Sequence, residues 1–148
     1  PALSALAGFP MLTEHRAGTC VFNDAATVRT GTATWANCAM RVRATVVSRP
    51  TDTRAILDCG TKVITSDQYG TPGHGHILEY PEAAIYGLSE EHGNVDLSQC
   101  RERPAVGEVV NVVPNHCCVV SNMVDDVVGV RGEQVEVVWP VAARGKVR

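Results

Sequence analysis

The sequence predicts an all-β domain, a barrel or sandwich, and three observations carry that expectation. Valine is abundant, and its β-branched side chain suits a pleated strand. The apolar runs are short and are separated by Gly, Pro, Asn and Asp turn signals. Helical periodicity is almost absent along the 148 residues. A chain of this length forms one domain and buries a real core.

Taken in order, Pro1 to Pro10 is rich in Ala and Leu and reads as the end of a helix from a preceding segment. The chain opens on Pro1 without Met or a signal-peptide pattern, so its start reads as a cut inside a longer protein. Arg16-Ala17-Gly18 is a turn, Thr19-Cys20-Val21-Phe22 a short apolar strand, and Asp24 a helix cap or turn residue. Thr27 to Asn37 reads as loop or weak helix. Cys38 to Ser48 is the first long strand, with Met40, Val42 and Ala44 alternating with Ala39, Arg41 and Arg43. Arg49-Pro50-Thr51-Asp52 turns the chain, and Arg54 to Asp58 returns to complete a hairpin. Cys59-Gly60-Thr61-Lys62 is a tight connection. Ser66 to Gly75 is a polar loop containing Gly70, Pro72 and Gly73, a kind of loop in which function concentrates. His76 to Tyr80, Ala84 to Ser89, Gly107 to Val113, Asp126 to Arg131 and Gln134 to Val138 are further strands, with Gly132-Glu133 as the last hairpin turn. Cys118 to Met123 forms one helical turn.

Composition narrows the function classes. A hydrophobic share of 45% and a charged share of 20% are those of an ordinary soluble globular protein. The net charge is −3 and no Lys/Arg cluster occurs, which argues against nucleic acid or an anionic membrane surface as a partner. No apolar run approaches membrane-spanning length. The six cysteines are too sparse and irregular for a disulfide scaffold. They read as small buried apolar side chains, reduced, in a cytoplasmic setting.

The chemistry concentrates in Pro114-Asn115-His116-Cys117-Cys118, which ends the apolar run Val109 to Val113. Pro114 stops the strand before it. On an extended segment residues i and i+2 point to the same side, so His116 and Cys118 leave together and Cys117 turns away. Neutral imidazole and thiolate are the donor pair that zinc prefers. Two ligands alone leave a second reading open, a strand-end Cys beside a His satisfied by a hydrogen bond. His92 and Glu90, in Glu90-Glu91-His92-Gly93, suit substrate- or metal-facing positions, or else a turn His and a solvated charge. Lys62 reads as a solvated loop lysine, and Asp58 as a support for the Cys59-Gly60 turn. His74 and His76 repeat the i, i+2 spacing, in a Gly-rich loop that is poorly preorganised for metal. Asp125 and Asp126 are turn acids without a catalytic role.

Several stretches together resemble one family. These are Arg16-Ala17-Gly18-Thr19-Cys20-Val21-Phe22-Asn23-Asp24, Ala44-Thr45-Val46-Val47-Ser48-Arg49-Pro50, Leu88-Ser89-Glu90-Glu91-His92-Gly93, Val113-Pro114-Asn115-His116-Cys117-Cys118 and Trp139-Pro140-Val141-Ala142-Ala143-Arg144-Gly145. In order, and over nearly the whole chain, they look like the C-terminal region of D-serine dehydratase and D-threonine aldolase. Those are metal-dependent, fold-type III pyridoxal-phosphate enzymes related to alanine racemase. The resemblance implies a C-terminal β domain over residues 16–148, with residues 1–15 a remnant of a preceding (β/α)8 barrel. That N-terminal barrel of the same protein would bind pyridoxal phosphate and carry the cofactor lysine, so no catalytic lysine is expected here and the isolated chain is expected to be inactive. Neither Lys62 nor Lys146, the only lysines, stands in a recognisable cofactor context.

By the same resemblance His116 and Cys118 are the metal ligands. The aldolases carry Asp where Cys118 stands and the dehydratases carry Cys. A thiolate selects zinc and a carboxylate suits harder ions, which tilts the expectation toward a zinc-dependent dehydratase converting D-serine to pyruvate and ammonia. The alternatives are a D-threonine aldolase-like lyase and a non-catalytic metal-binding or partner-packing β module. The family usually has Tyr, close to the cofactor, where Cys20 stands, so Cys20 is a cofactor-adjacent position that departs from the pattern. The resemblance also implies a D-amino acid substrate and a homodimer.

Overall fold

The computed structural model describes residues 8–14 and 16–146. The expected helix end at Pro1 to Pro10 falls largely outside them. Among the described residues there are eight strands and three short α-helices, besides two 3-10 helices (Thr19–Val21 and Trp35–Asn37): α1 (Ala25–Arg29), β1 (Val42–Thr51), β2 (Arg54–Leu57), α2 (Thr61–Ile64), β3 (His76–Ile77), β4 (Ala84–Leu88), β5 (Gly93–Asp96), β6 (Val109–Val113), α3 (Cys117–Met123), β7 (Asp126–Arg131) and β8 (Gln134–Pro140). The all-β expectation holds.

Six strands form one antiparallel sheet in the order β3-β6-β1-β2-β5-β4. Its two edges approach each other: the His74 N–H, just before β3, donates to the Ile85 carbonyl on β4 at 2.9 Å. The sheet is therefore a nearly closed barrel, an arrangement that leaves few unpaired edges. Alternation along β1 does what the period of two predicts. Ala44 and Val46 point inward and are buried, while Arg43 and Val47 face out. Opposite them Val110 and Val112 of β6 fill the barrel with Ala55, Leu57, Ile85, Val95 and Leu97. Each such aliphatic side chain stabilises the fold by about 1.5–3 kcal/mol when fully buried. A second, smaller cluster of Met40, Cys117 and Val120, with Phe22 and Val42 against it, seats α3 on the barrel. Strands β7 and β8 form a separate two-stranded sheet.

Local readings differ in several places: Thr61–Ile64 is helical where a tight connection is expected, β3 stops at Ile77 and not Tyr80, and β1 begins at Val42 and not Cys38. Thr19–Val21 is a 3-10 helix and not a strand. Phe22, next in line, donates its N–H to Thr19 O and gives its carbonyl to the Ala39 N–H, and it alone of this run packs against the small cluster, while Cys20 and Val21 are exposed. β1 runs on through Pro50 to Thr51, and the turn is Asp52-Thr53 alone. Register shifts between Val46 and Ser48 and between Ser48 and Thr51 interrupt the regular ladder toward that end of β1, where Pro50 lies. β5 was not anticipated, although it pairs with both β2 and β4. Helix α3 begins at Cys117, so Cys118 is helical and His116 alone is extended (φ −141°, ψ 119°). The argument from an extended i, i+2 spacing does not apply to Cys118. Among the described residues no helix is long and apolar enough to cross a membrane.

Candidate metal centre

Asp24 caps α1 through a capping box. Its Oδ1 accepts the Thr27 N–H at 3.0 Å, and the Thr27 hydroxyl accepts the Asp24 N–H at 2.9 Å. The second oxygen is turned to another segment. Oδ2 lies 3.0 Å from His116 Nδ1 and accepts the Cys117 N–H at 3.1 Å. The backbones dock alongside: the Ala25 N–H donates to Pro114 O at 3.0 Å and the Ala26 N–H to Asn115 O at 3.2 Å. Asp24 is 0% exposed. A carboxylate buried that deeply persists because each oxygen is hydrogen-bonded.

This contact sets the chemistry of His116. A carboxylate oxygen only accepts, so in this contact Nδ1 is the donor and Nε2 is the ring nitrogen turned away from Asp24. A buried carboxylate on the far nitrogen of a histidine is the outer partner that orients metal-ligating imidazoles. The Tyr69 ring stacks on the same imidazole, with centroids 4.4 Å apart and planes at 19°. His116, Tyr69, Asp24, Thr19, Arg29 and Thr30 all line one cavity of about 450 Å³.

Cys118 is exposed and does not itself line the cavity; its Sγ lies 3.9 Å from the hydroxyl of Thr19, which does. That hydroxyl is the donor available to a Cys118 thiolate. Cys117 differs in kind: it is buried with Met40 and Val120, and burial first, then the Asp24 charge, pushes its thiol up to about 12. It stays protonated and structural. Asn115 completes the motif. Its amide donates to Asp67 O at 3.1 Å and Gly73 O at 2.9 Å, and its oxygen accepts the Gly75 N–H at 2.9 Å, so it clamps the polar loop beside the site.

Other sequence candidates lie elsewhere. Glu90, His92 and Cys20 do not line this cavity. His92 closes a turn in which its N–H donates to Ser89 Oγ at 3.1 Å. Glu90 lies 3.1 Å from the Lys62 ammonium, which also binds Glu91 at 2.5 Å; all three side chains are exposed. Cys20 is exposed on the 3-10 helix. His76 stacks on Trp35 at 3.8 Å, and burial lowers the pKa of both His74 and His76. Asp58 accepts the Thr45 N–H at 2.6 Å, a structural bond. Asp24 and Tyr69 are the site residues that sequence reasoning missed in this role. Asp24 showed only its capping signal, and Tyr69 none beyond its place in the Gly-rich loop.

The residues present fit a metal in part. His116 offers Nε2 and Cys118 an accessible thiol, a donor pair suited to zinc. Among the described residues no group of three or more His, Cys, Asp or Glu is placed to hold an ion unaided.

Comparison with known proteins places this chain in a family. A family model described as a putative serine dehydratase domain matches residues 39–130. An uncharacterised protein of Mycobacterium tuberculosis is 39% identical over 132 residues, which is 85% of this chain and 98% of that protein. The crystal structure of D-threonine aldolase from Filomicrobium marinum matches with a TM-score of 0.75 and 33% identity, over 88% of this chain. An alanine racemase-like protein from Idiomarina loihiensis shares the fold, with a TM-score of 0.71 at 23% identity over 80% of this chain. The chain spans 36% and 35% of those two solved chains. By the extent of the family match and the near-complete coverage of the mycobacterial relative, this chain belongs to the serine dehydratase-like domain family, whose relatives include D-amino acid lyases.

Proposed function

We propose that this chain is the metal-binding β domain of a pyridoxal-phosphate- and zinc-dependent D-amino acid lyase of the D-serine dehydratase type. One observation carries the reading: a fully buried carboxylate, Asp24, holds His116 by Nδ1 and leaves Nε2 for a ligand. His116 and Cys118 would hold the ion. Bound there, zinc supplies a Lewis acid that polarises a substrate β-hydroxyl, a group that leaves poorly unaided. Asp24 keeps the proton on Nδ1 and orients the ring. Thr19 stands beside the thiol, and Asn115 holds the loop that walls the cavity. Cys118, a soft donor, favours zinc and the dehydratase over the aldolase.

The chain's own lysines do not fit the cofactor. Lys62 is exposed and engaged by two glutamates, and Lys146 is exposed near the C-terminus. Pyridoxal phosphate would be held by a preceding barrel of the same protein, with a homodimer as the assembled form. A second reading, a metal-binding β module without lyase chemistry, is favoured by the mycobacterial relative, of which the aligned region makes up 98%.

The test is a zinc titration of the 148-residue chain and of His116→Ala and Cys118→Ala, followed by D-serine assays. We expect each substitution to weaken zinc binding by at least about tenfold. Wild-type affinity in both variants would overturn the metal site. Pyruvate release from D-serine by the chain alone, dependent on Lys62, would overturn the assignment of the cofactor to a preceding barrel.

A further inference from the structure

We infer that Tyr69 is the positioning residue for His116: its ring, pinned by the Asn115 clamp, fixes the plane of the imidazole and so sets the metal affinity of the His116–Cys118 pair. The inference rests on the metal role proposed above for His116.

Tyr69 is not where burial would put an aromatic. It is 64% exposed, so little of its placement comes from the hydrophobic effect. Its backbone sits in the left-handed region at φ +51°, which costs a non-glycine residue about 1–2 kcal/mol. Gly70 follows at φ +73°, and the two residues together turn the chain sharply at the cavity wall. The loop accepts that cost because it is tied elsewhere. Asn115 binds the backbone at Asp67, Gly73 and Gly75, on either side of Tyr69. Thr71 closes the tip by donating its N–H to Gln68 O at 2.7 Å and its hydroxyl to the same oxygen. Asn115 is the residue before His116. One short stretch of backbone therefore sets both the imidazole and the loop that brings the phenol onto it.

The two contacts on His116 are complementary. Asp24 holds one edge at Nδ1, and a single hydrogen bond leaves the ring free to tilt about it. The Tyr69 face, 4.4 Å away and nearly parallel, limits that tilt. Edge and face are then both occupied, and Nε2 is the ligating position that remains. A metal on Nε2 draws charge out of the imidazole, and an electron-rich phenol face stabilises an electron-poor ring. Stacking and metal binding therefore favour each other.

The experiment is a zinc competition titration of the 148-residue chain against a chromophoric chelator. It is paired with NMR of the His116 ring protons in metal-free protein. Tyr69→Ala should weaken zinc binding about tenfold, whereas Tyr69→Phe, which keeps the ring, should stay within about twofold. The His116 ring protons should lie upfield in wild type and in Tyr69→Phe, and move toward free-imidazole positions in Tyr69→Ala. Asn115→Ala should shift both readouts in the direction of Tyr69→Ala. If His116→Ala loses zinc but Tyr69→Ala keeps wild-type affinity, the positioning role alone is overturned. If His116→Ala binds zinc as well as wild type, the metal reading fails and this inference fails with it.

Discussion

Asp24 does three jobs with one side chain. It caps α1, accepts the Cys117 N–H and holds His116. Asp24→Ala strands two buried donors and removes a cap, so it should cost about 3 kcal/mol, read by urea denaturation. Asp24→Asn should cost less and still lower zinc affinity, because a neutral amide no longer holds the imidazole by charge. The capping role was legible in Asp24 alone, as a helix cap or turn residue; the part of Thr27 in it was not. The contact with His116 was not, because it spans 92 positions and leaves no local signal. A second residue-scale test concerns Cys59. Burial, then the Asp58 charge, raises its thiol from 9.0 to about 12. The folded chain binds that proton more tightly than the unfolded chain, so the contribution is complete below about pH 9 and is lost as the pH rises toward 12. Cys59→Ala should therefore lose less stability than wild type between those values. An unchanged alkaline slope would contradict the burial argument.

Among the elements, the long strand β1 and the hairpin β7–β8 were legible because each carries its own signal, alternation in one and Gly132-Glu133 in the other. Strand β5 was hidden: Gly93-Asn94-Val95-Asp96 has one strand-favouring residue, and neighbours on both sides hold it in the sheet. The helical turn of α3 was legible, and its start differs by one residue, Cys117 against Cys118. A helix that opens at Cys117, directly after an apolar strand and Pro114, has no side-chain cap to announce it. Two glycines test how elements touch. A Cβ at Gly60 would lie 2.4 Å from the Glu90 carbonyl oxygen and 2.5 Å from that of Ser89, both backbone atoms of the β4–β5 turn. Gly60→Ala should cost about 3 kcal/mol, since the main chain itself must move. At Gly129 the nearest atoms are the far end of the Trp139 ring, at 2.6 Å, and a Val137 methyl, at 2.7 Å. Gly129→Ala should cost less, about 1 kcal/mol, and change the Trp139 emission as the ring swings away. Equal costs in thermal denaturation would show that the Gly60 contact is softer than its geometry.

For the whole molecule, a nearly closed barrel presents the loops at one end as a shallow wall. The segment around Asp24, the loop around Tyr69 and the start of α3 meet there. The all-β class, barrel or sandwich, was readable from valine content and turn spacing, and the family from motifs spread along nearly the whole chain. The convergence of three distant segments on His116 was not readable, because it depends on tertiary closure of the sheet. The central proposal is that His116, on this wall, and Cys118, beside Thr19 at its edge, together hold zinc. The most direct measurement is zinc K-edge X-ray absorption of the zinc-loaded chain. We predict one sulfur scatterer at about 2.3 Å beside nitrogen or oxygen scatterers at about 2.0–2.1 Å, with the sulfur shell lost in Cys118→Ala. A shell of nitrogen and oxygen alone in the wild type, or a sulfur shell that survives Cys118→Ala, would contradict it.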